Sequence, residues 1–127
     1  MDPLEVLKKL KEISSLKENQ TCVDCQDNTN IVTHLTVNNG VFLCKDCAEK
    51  HQKQLLPMYS LVRPLDSDYW SQEQIATLEA GGGNKKFIEF MHNYELDAPE
   101  TNLSDKYMCH AASFWRDNLH AISNGLV

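Results

Sequence analysis

Four cysteines in two close pairs, Cys22-x-x-Cys25 and Cys44-x-x-Cys47, set the tightest limit on how this chain folds. A two-residue gap lets both sulfurs of a pair face one point. The eighteen residues between the pairs, 26–43, are enough for a hairpin that returns the second pair to the first. Thiolates are good zinc ligands, and four of them make a closed tetrahedral site. Two disulfides, four buried thiols or a redox pair are the other uses of such a set. A redox site needs only one pair, and two pairs at this separation point to a shared ion. With four sulfur ligands no coordination position is left for water or substrate, so one structural zinc per chain is expected. His51, four residues after Cys47 on the same helical face, is a further candidate ligand, but four cysteines already complete the shell. Cys109, next to His110, lies far off and reads as a small hydrophobe in helix packing.

The flanking segments read as short helices and strands. Asp2, Pro3 and Glu5 supply an N-cap, a first-turn proline and a capping-box partner. Leu4, Leu7, Leu10, Ile13 and Leu16 follow at helical spacing, so a helix is expected over residues 3–17. "IVTHLT" is rich in β-branched residues, "VNNG" is a turn signal and "VFL" a returning strand. The second cysteine pair opens a short helix that ends before Pro57. "YSLVRPL" reads as an edge strand, because Pro64 cannot donate to a ladder. The strand candidates are therefore 31–36, 41–43 and 60–64. Ser71 and Gln74 form a second capping box, opening a helix that stops at Gly81, Gly82 and Gly83. Asn84 reads as the cap of a helix bearing Phe87, Ile88, Met91 and Tyr94. Ser104 reads as the cap of a last helix bearing Tyr107, Ala111, Phe114 and Trp115, and "SNGLV" as a loose end. The expected fold class is α+β: a four-cysteine zinc finger with a small three-stranded antiparallel sheet surrounded by five or six helices. One domain is expected over 1–127, with the N-terminal helix at 3–17, the zinc module at 20–56 and a helical remainder at 57–122.

The net charge of -6 argues against bulk electrostatic binding to DNA or RNA and gives no pull toward an anionic membrane. No run is apolar enough to span a bilayer, and the N-terminus lacks a signal-peptide core. A cytoplasmic monomer is expected. "GGGNKK" has neither the preceding strand nor the spacing of a phosphate-binding loop and reads as a helix stop. No serine, histidine and acid set stands out, so the chain is not expected to be an enzyme by its own chemistry.

Several landmarks occur in one order along the chain: "CVDC", "TVNNGVFLCKDCAEKH", "LVRPLDSDYW", "GGGN" and "SDKYMCHAASFW". Together they resemble the zinc-finger domain of the Arf GTPase-activating proteins, over residues 5–120. The family pattern is two C-x-x-C pairs about sixteen residues apart, then four residues and an arginine. A generic zinc finger shares only the cysteines. The resemblance implies GTPase activation in vesicle traffic, with an Arf-type small GTPase in its GTP state as partner. It also implies recruitment to Golgi or other membranes through that partner.

Three positions depart from the family. The loop at 26–33 is two residues longer, His34 stands where tryptophan is common, and Gln52 stands at the arginine-finger position. The segment "KQLLPMYS" also lacks the family's leucine-glycine-valine-histidine-isoleucine-serine run. An arginine finger neutralises charge on the transferring phosphoryl group and is worth about 10³–10⁵ in rate. Glutamine carries no charge, so weak activation is expected, or a non-catalytic module that binds an Arf-type GTPase or another protein. Arg63 and Arg116 are the chain's only arginines, and Lys50 and Lys53 flank Gln52. A lysine is a poor stand-in for a bidentate guanidinium.

Overall fold

A computed structural model describes residues 2–125. The first helix, α1, spans Pro3–Ser14 and starts where Asp2 Oδ1 accepts from the amides of Leu4 and Glu5 at 2.8 and 3.0 Å. It ends three residues short of the expected 17, and a 3-10 turn follows at Lys17–Asn19. The leucine stripe does not set its buried face. Val6 and Leu10 go inward, while Leu4, Leu7 and Leu16 are exposed.

Three antiparallel strands follow, β1 at Val32–Thr36, β2 at Val41–Cys44 and β3 at Val62–Pro64, in the order β2-β1-β3. The expected strand set is thus present, with ends shifted by one or two residues. The edge position lets Pro64 pair opposite His34 without having to donate. Every residue of β2 is buried, because helices cover both faces of the sheet. Val41 and Leu43 point to one core, with Val23, Phe87, Met91 and Tyr107. Phe42 points to the other, with Val6, Leu10, Leu35, Trp70, Ile75 and Leu78.

The second cysteine pair opens α2, Lys45–Gln54. The Ser71–Gln74 capping box opens α3, Gln72–Gly81, and the left-handed Gly82 at φ 76° stops it. The next helix, α4, spans Asn84–His92. Here the expectation for Asn84 is corrected: Gly83 occupies the cap position. The Asn84 side chain instead reaches the open edge of β2. Its Oδ1 accepts from Phe42 N at 2.7 Å, and its Nδ2 donates to Thr21 O at 2.8 Å and Phe42 O at 3.2 Å. Gly83 lets Asn19 close in to bond Asn84 N, since a Cβ there would lie 2.5 Å from Asn19 Oδ1.

The last expected helix is two. Asn102, not Ser104, caps α5, Leu103–Tyr107. Cys109 then caps α6, His110–Ser123, its sulfur accepting from Ala112 N at 3.4 Å. A thiol beside a helix start serves as a weak acceptor as well as a hydrophobe. Phe114 faces outward, so it does not share the buried side of Ala112 and Leu119. Of the loose end expected at "SNGLV", Ser123 belongs to α6, and Leu126 and Val127 lie outside the described residues.

Candidate functional site

The hairpin of β1 and β2 performs the return that the cysteine spacing requires. Val23 N donates to Phe42 O at 3.0 Å, which docks the first cysteine pair against the edge of β2 just before the second pair. The sulfurs of Cys22, Cys25, Cys44 and Cys47 all lie within 4.8 Å of one another, and Cys25 Sγ is 3.9 Å from Cys44 Sγ. A tetrahedron with metal–sulfur bonds of about 2.3 Å has edges of about 3.8 Å, so the set fits one zinc-sized ion. All five cysteines of the chain are free thiols, and Cys109 lies apart from the cluster.

Crowding also shapes the protonation of these groups. The Cys47 hydrogen bond lowers the Cys22 thiol to about 5, against a smaller opposing effect of burial. Burial raises Cys44 to about 11, and Cys47 is raised because its proton is held toward Cys22. The cluster thus already favours a first thiolate, and a cation would favour the rest. The loop at 26–33 closes over the outermost sulfur: the Asn30 side-chain amide donates toward Cys25 Sγ at 3.6 Å.

His51 is not part of this cluster. It is fully buried, with Nε2 2.6 Å from Asp24 Oδ2 and Nδ1 2.7 Å from Ser60 Oγ. Asp24 also accepts from Tyr107 Oη at 2.7 Å and pairs with Lys106 Nζ at 2.9 Å, both on Oδ1. Burial pushes this carboxyl up, but His51, Lys106 and Tyr107 outweigh it and hold it at about 2. Burial and the negative Asp24 raise the Tyr107 hydroxyl well above its ordinary value. With Asp24 an acceptor, Nε2 of His51 carries a proton, and in the neutral ring Nδ1 accepts from the Ser60 hydroxyl. The group resembles a Ser-His-Asp arrangement, but Ser60 is 4% exposed and has no access to substrate.

This network was not legible in the sequence. Asp24 lies 27 residues from His51 and 83 from Tyr107, and no local pattern links them.

Gln52 follows His51 on α2 and is exposed, as are Lys50 and Lys53. Both arginines of the chain are engaged within the fold. The Arg63 guanidinium lies 4.2 Å above the Trp70 ring, and its Nη atoms donate to Tyr69 O at 2.6 Å and Gln74 Oε1 at 3.2 Å. Arg116 Nη1 lies within reach of Tyr107 O at 2.9 Å, Asn39 Oδ1 at 3.1 Å and Tyr59 O at 3.4 Å. His34 is half-buried on β1, with Nδ1 2.7 Å from Thr33 Oγ1.

A family model described as "Putative GTPase activating protein for Arf" matches residues 7–121. The chain is 30% identical over 121 residues to ADP-ribosylation factor GTPase-activating protein 3 of Bos taurus, covering 94% of this chain and 22% of that protein. It is 34% identical over 104 residues to Protein GTS1 of Saccharomyces cerevisiae, covering 78% of this chain and 26% of that protein. It therefore spans about a quarter or less of these curated relatives. Among solved structures, a "putative GTPase activating protein for ADP ribosylation factor" from Cryptosporidium parvum superposes with a TM-score of 0.69 at 22% identity, over 98% of this chain and 93% of that one. The ArfGap domain of HIV-1 Rev binding protein does so with a TM-score of 0.59 at 19% identity, over 98% and 90% of the two chains. The match across nearly the whole fold, hairpin and cysteine cluster included, establishes that this chain belongs to the ArfGap family.

Proposed function

We propose that this domain docks on an Arf-type small GTPase in its GTP state and accelerates GTP hydrolysis only weakly, because Gln52 occupies the arginine-finger position. The relatives named Arf GTPase-activating proteins support the partner class. The observation that carries the weak activity is the engagement of both arginines: Arg63 holds the β3–α3 region and Arg116 holds the turn before β3. No guanidinium is left for the partner, and a glutamine supplies no charge to the transition state.

Cys22, Cys25, Cys44 and Cys47 would hold one zinc ion. It supplies a closed cross-link between the two knuckles and no catalytic position. The residues around it do the rest. Asp24, placed between Cys22 and Cys25, ties the first knuckle to α2 through His51 and to α5 through Lys106 and Tyr107. The surface that carries Gln52 is thereby built on the metal module. Among the described residues no helix is long and apolar enough to cross a membrane. Membrane recruitment of a cytoplasmic monomer would then come through the GTPase.

A second reading, a non-catalytic binding module, is favoured by the same missing guanidinium. Single-turnover GTP hydrolysis by an Arf-type GTPase separates the two. A weak acceleration by the unmodified protein, raised several-fold or more by Gln52→Arg, is the expected result. The full gain of a finger corresponds to about 4–7 kcal/mol, and the altered loop after α2 would reduce it. Strong acceleration by the unmodified chain would refute the role given to Gln52. Binding without any acceleration, in both forms, would establish the second reading.

A further inference from the structure

We propose that His51 is the positioning residue for residue 52, clamping the last turn of α2 between the first knuckle and the turn before β3. The inference rests on the reading that position 52 faces the GTPase.

Three of the last four residues of α2, Gln52, Lys53 and Gln54, are exposed and contribute nothing to the core. A final turn of this kind frays unless it is tied down. His51 is the one buried residue in it, and each face of its contact set reaches a different part of the fold. Through Nε2 it meets Asp24, which Tyr107 and Lys106 hold from the opposite side. Through Nδ1 it meets Ser60, which follows a turn that is itself latched. Asn38 Nδ2 donates to the carbonyls of Pro57 and Met58 at 3.0 and 3.2 Å, and Asn38 Oδ1 accepts from Leu61 N at 2.9 Å. Asn39 Nδ2 donates to Tyr59 O at 2.8 Å. The imidazole also stands edge-on to Tyr107, with ring centroids 4.6 Å apart.

Both ring nitrogens are therefore committed to partners that lie off α2, in a buried site. The neighbouring Cα, at position 52, inherits that placement. For a side chain that must reach a phosphoryl group this matters, since a misplacement of about 1 Å costs about 10²-fold in rate.

The test has two arms on the zinc-loaded chain, each read after the zinc content and circular dichroism of the variant match the parent. In the first, backbone 15N relaxation is measured for the parent, His51→Gln and Ser60→Ala. His51→Gln keeps a donor toward Asp24, and Ser60→Ala removes a single hydroxyl, so at least one folded variant is secured. Order parameters at residues 52–54 should fall from about 0.85 to below about 0.6, while those of α6 stay unchanged. Unchanged order at 52–54 overturns the proposal. In the second arm, Ser60→Ala is added to Gln52→Arg and single-turnover hydrolysis is followed against protein concentration. The maximal rate should fall about 10–100-fold with the half-saturating concentration unchanged. A change confined to the half-saturating concentration overturns it. If Gln52→Arg gains nothing while the order parameters fall as expected, the functional reading fails and the clamp stands on the relaxation result.

Discussion

Replacing Asn84 with alanine should unfold this domain at markedly lower temperature, although the change touches neither a cysteine nor an apolar core residue. Asn84 is 1% exposed and lies between the edge of β2, the first knuckle and α4. Three bonds disappear with its amide. Phe42 O keeps a donor, because Val23 N also reaches it at 3.0 Å. Phe42 N and Thr21 O lose the Asn84 partner. Leaving a buried polar group unsatisfied costs about 1–3 kcal/mol; that penalty falls on Phe42 N, while Thr21 O is only half-buried and within reach of water. At about 3–4 °C per kcal/mol for a domain of this size, the midpoint should fall by roughly 3–12 °C. Thermal unfolding by circular dichroism, with zinc at one fixed excess in every sample, reads the shift. A fall below about 3 °C for Asn84→Ala would refute the reasoning, because it would mean that water replaces the amide without cost.

Further outcomes follow from the same geometry. Chelation of the metal, or Cys44→Ser, should abolish cooperative unfolding and release the hairpin, since the cross-link joins segments that the modest core does not hold alone; retained near-ultraviolet dichroism in the metal-free chain would count against this. Lys106→Met should destabilise by about 3–5 kcal/mol in urea titrations, because it leaves the Asp24 charge buried beside fewer donors. Arg116→Met should cost about 1–3 kcal/mol in the same titrations, since it removes the one nitrogen that Asn39 Oδ1, Tyr59 O and Tyr107 O share. No measurable change there would show that the turn before β3 is held by Asn38 and Asn39 alone.

Sequence alone determined the parts of this protein that depend on local chemistry and spacing. Two C-x-x-C pairs can converge only if the chain between them turns back, and β-branched runs flanking "VNNG" supply the turn. The capping residues of α1 and α3 were legible because a cap is a contact within three residues. The family followed from the order of landmarks. Only the tertiary structure decided which polar side chains act across the fold. Asn84 has the composition of a cap, yet it closes a strand edge 42 residues away. The sulfur of Cys109 splits the last helical segment in two, which a helical apolar stripe cannot reveal. His51 looked like a spare metal ligand by its spacing. It became the centre of a buried network because Asp24, Ser60 and Tyr107 arrive from three other segments. The leucines of α1 were misleading for the same reason: periodicity defines an apolar face, but the position of β2 and α3 decides that Val6 and Leu10 are the ones covered. Local patterns are short-range, whereas the burial of a polar group is stable only when distant partners satisfy it, and those partners exist only once the chain has folded.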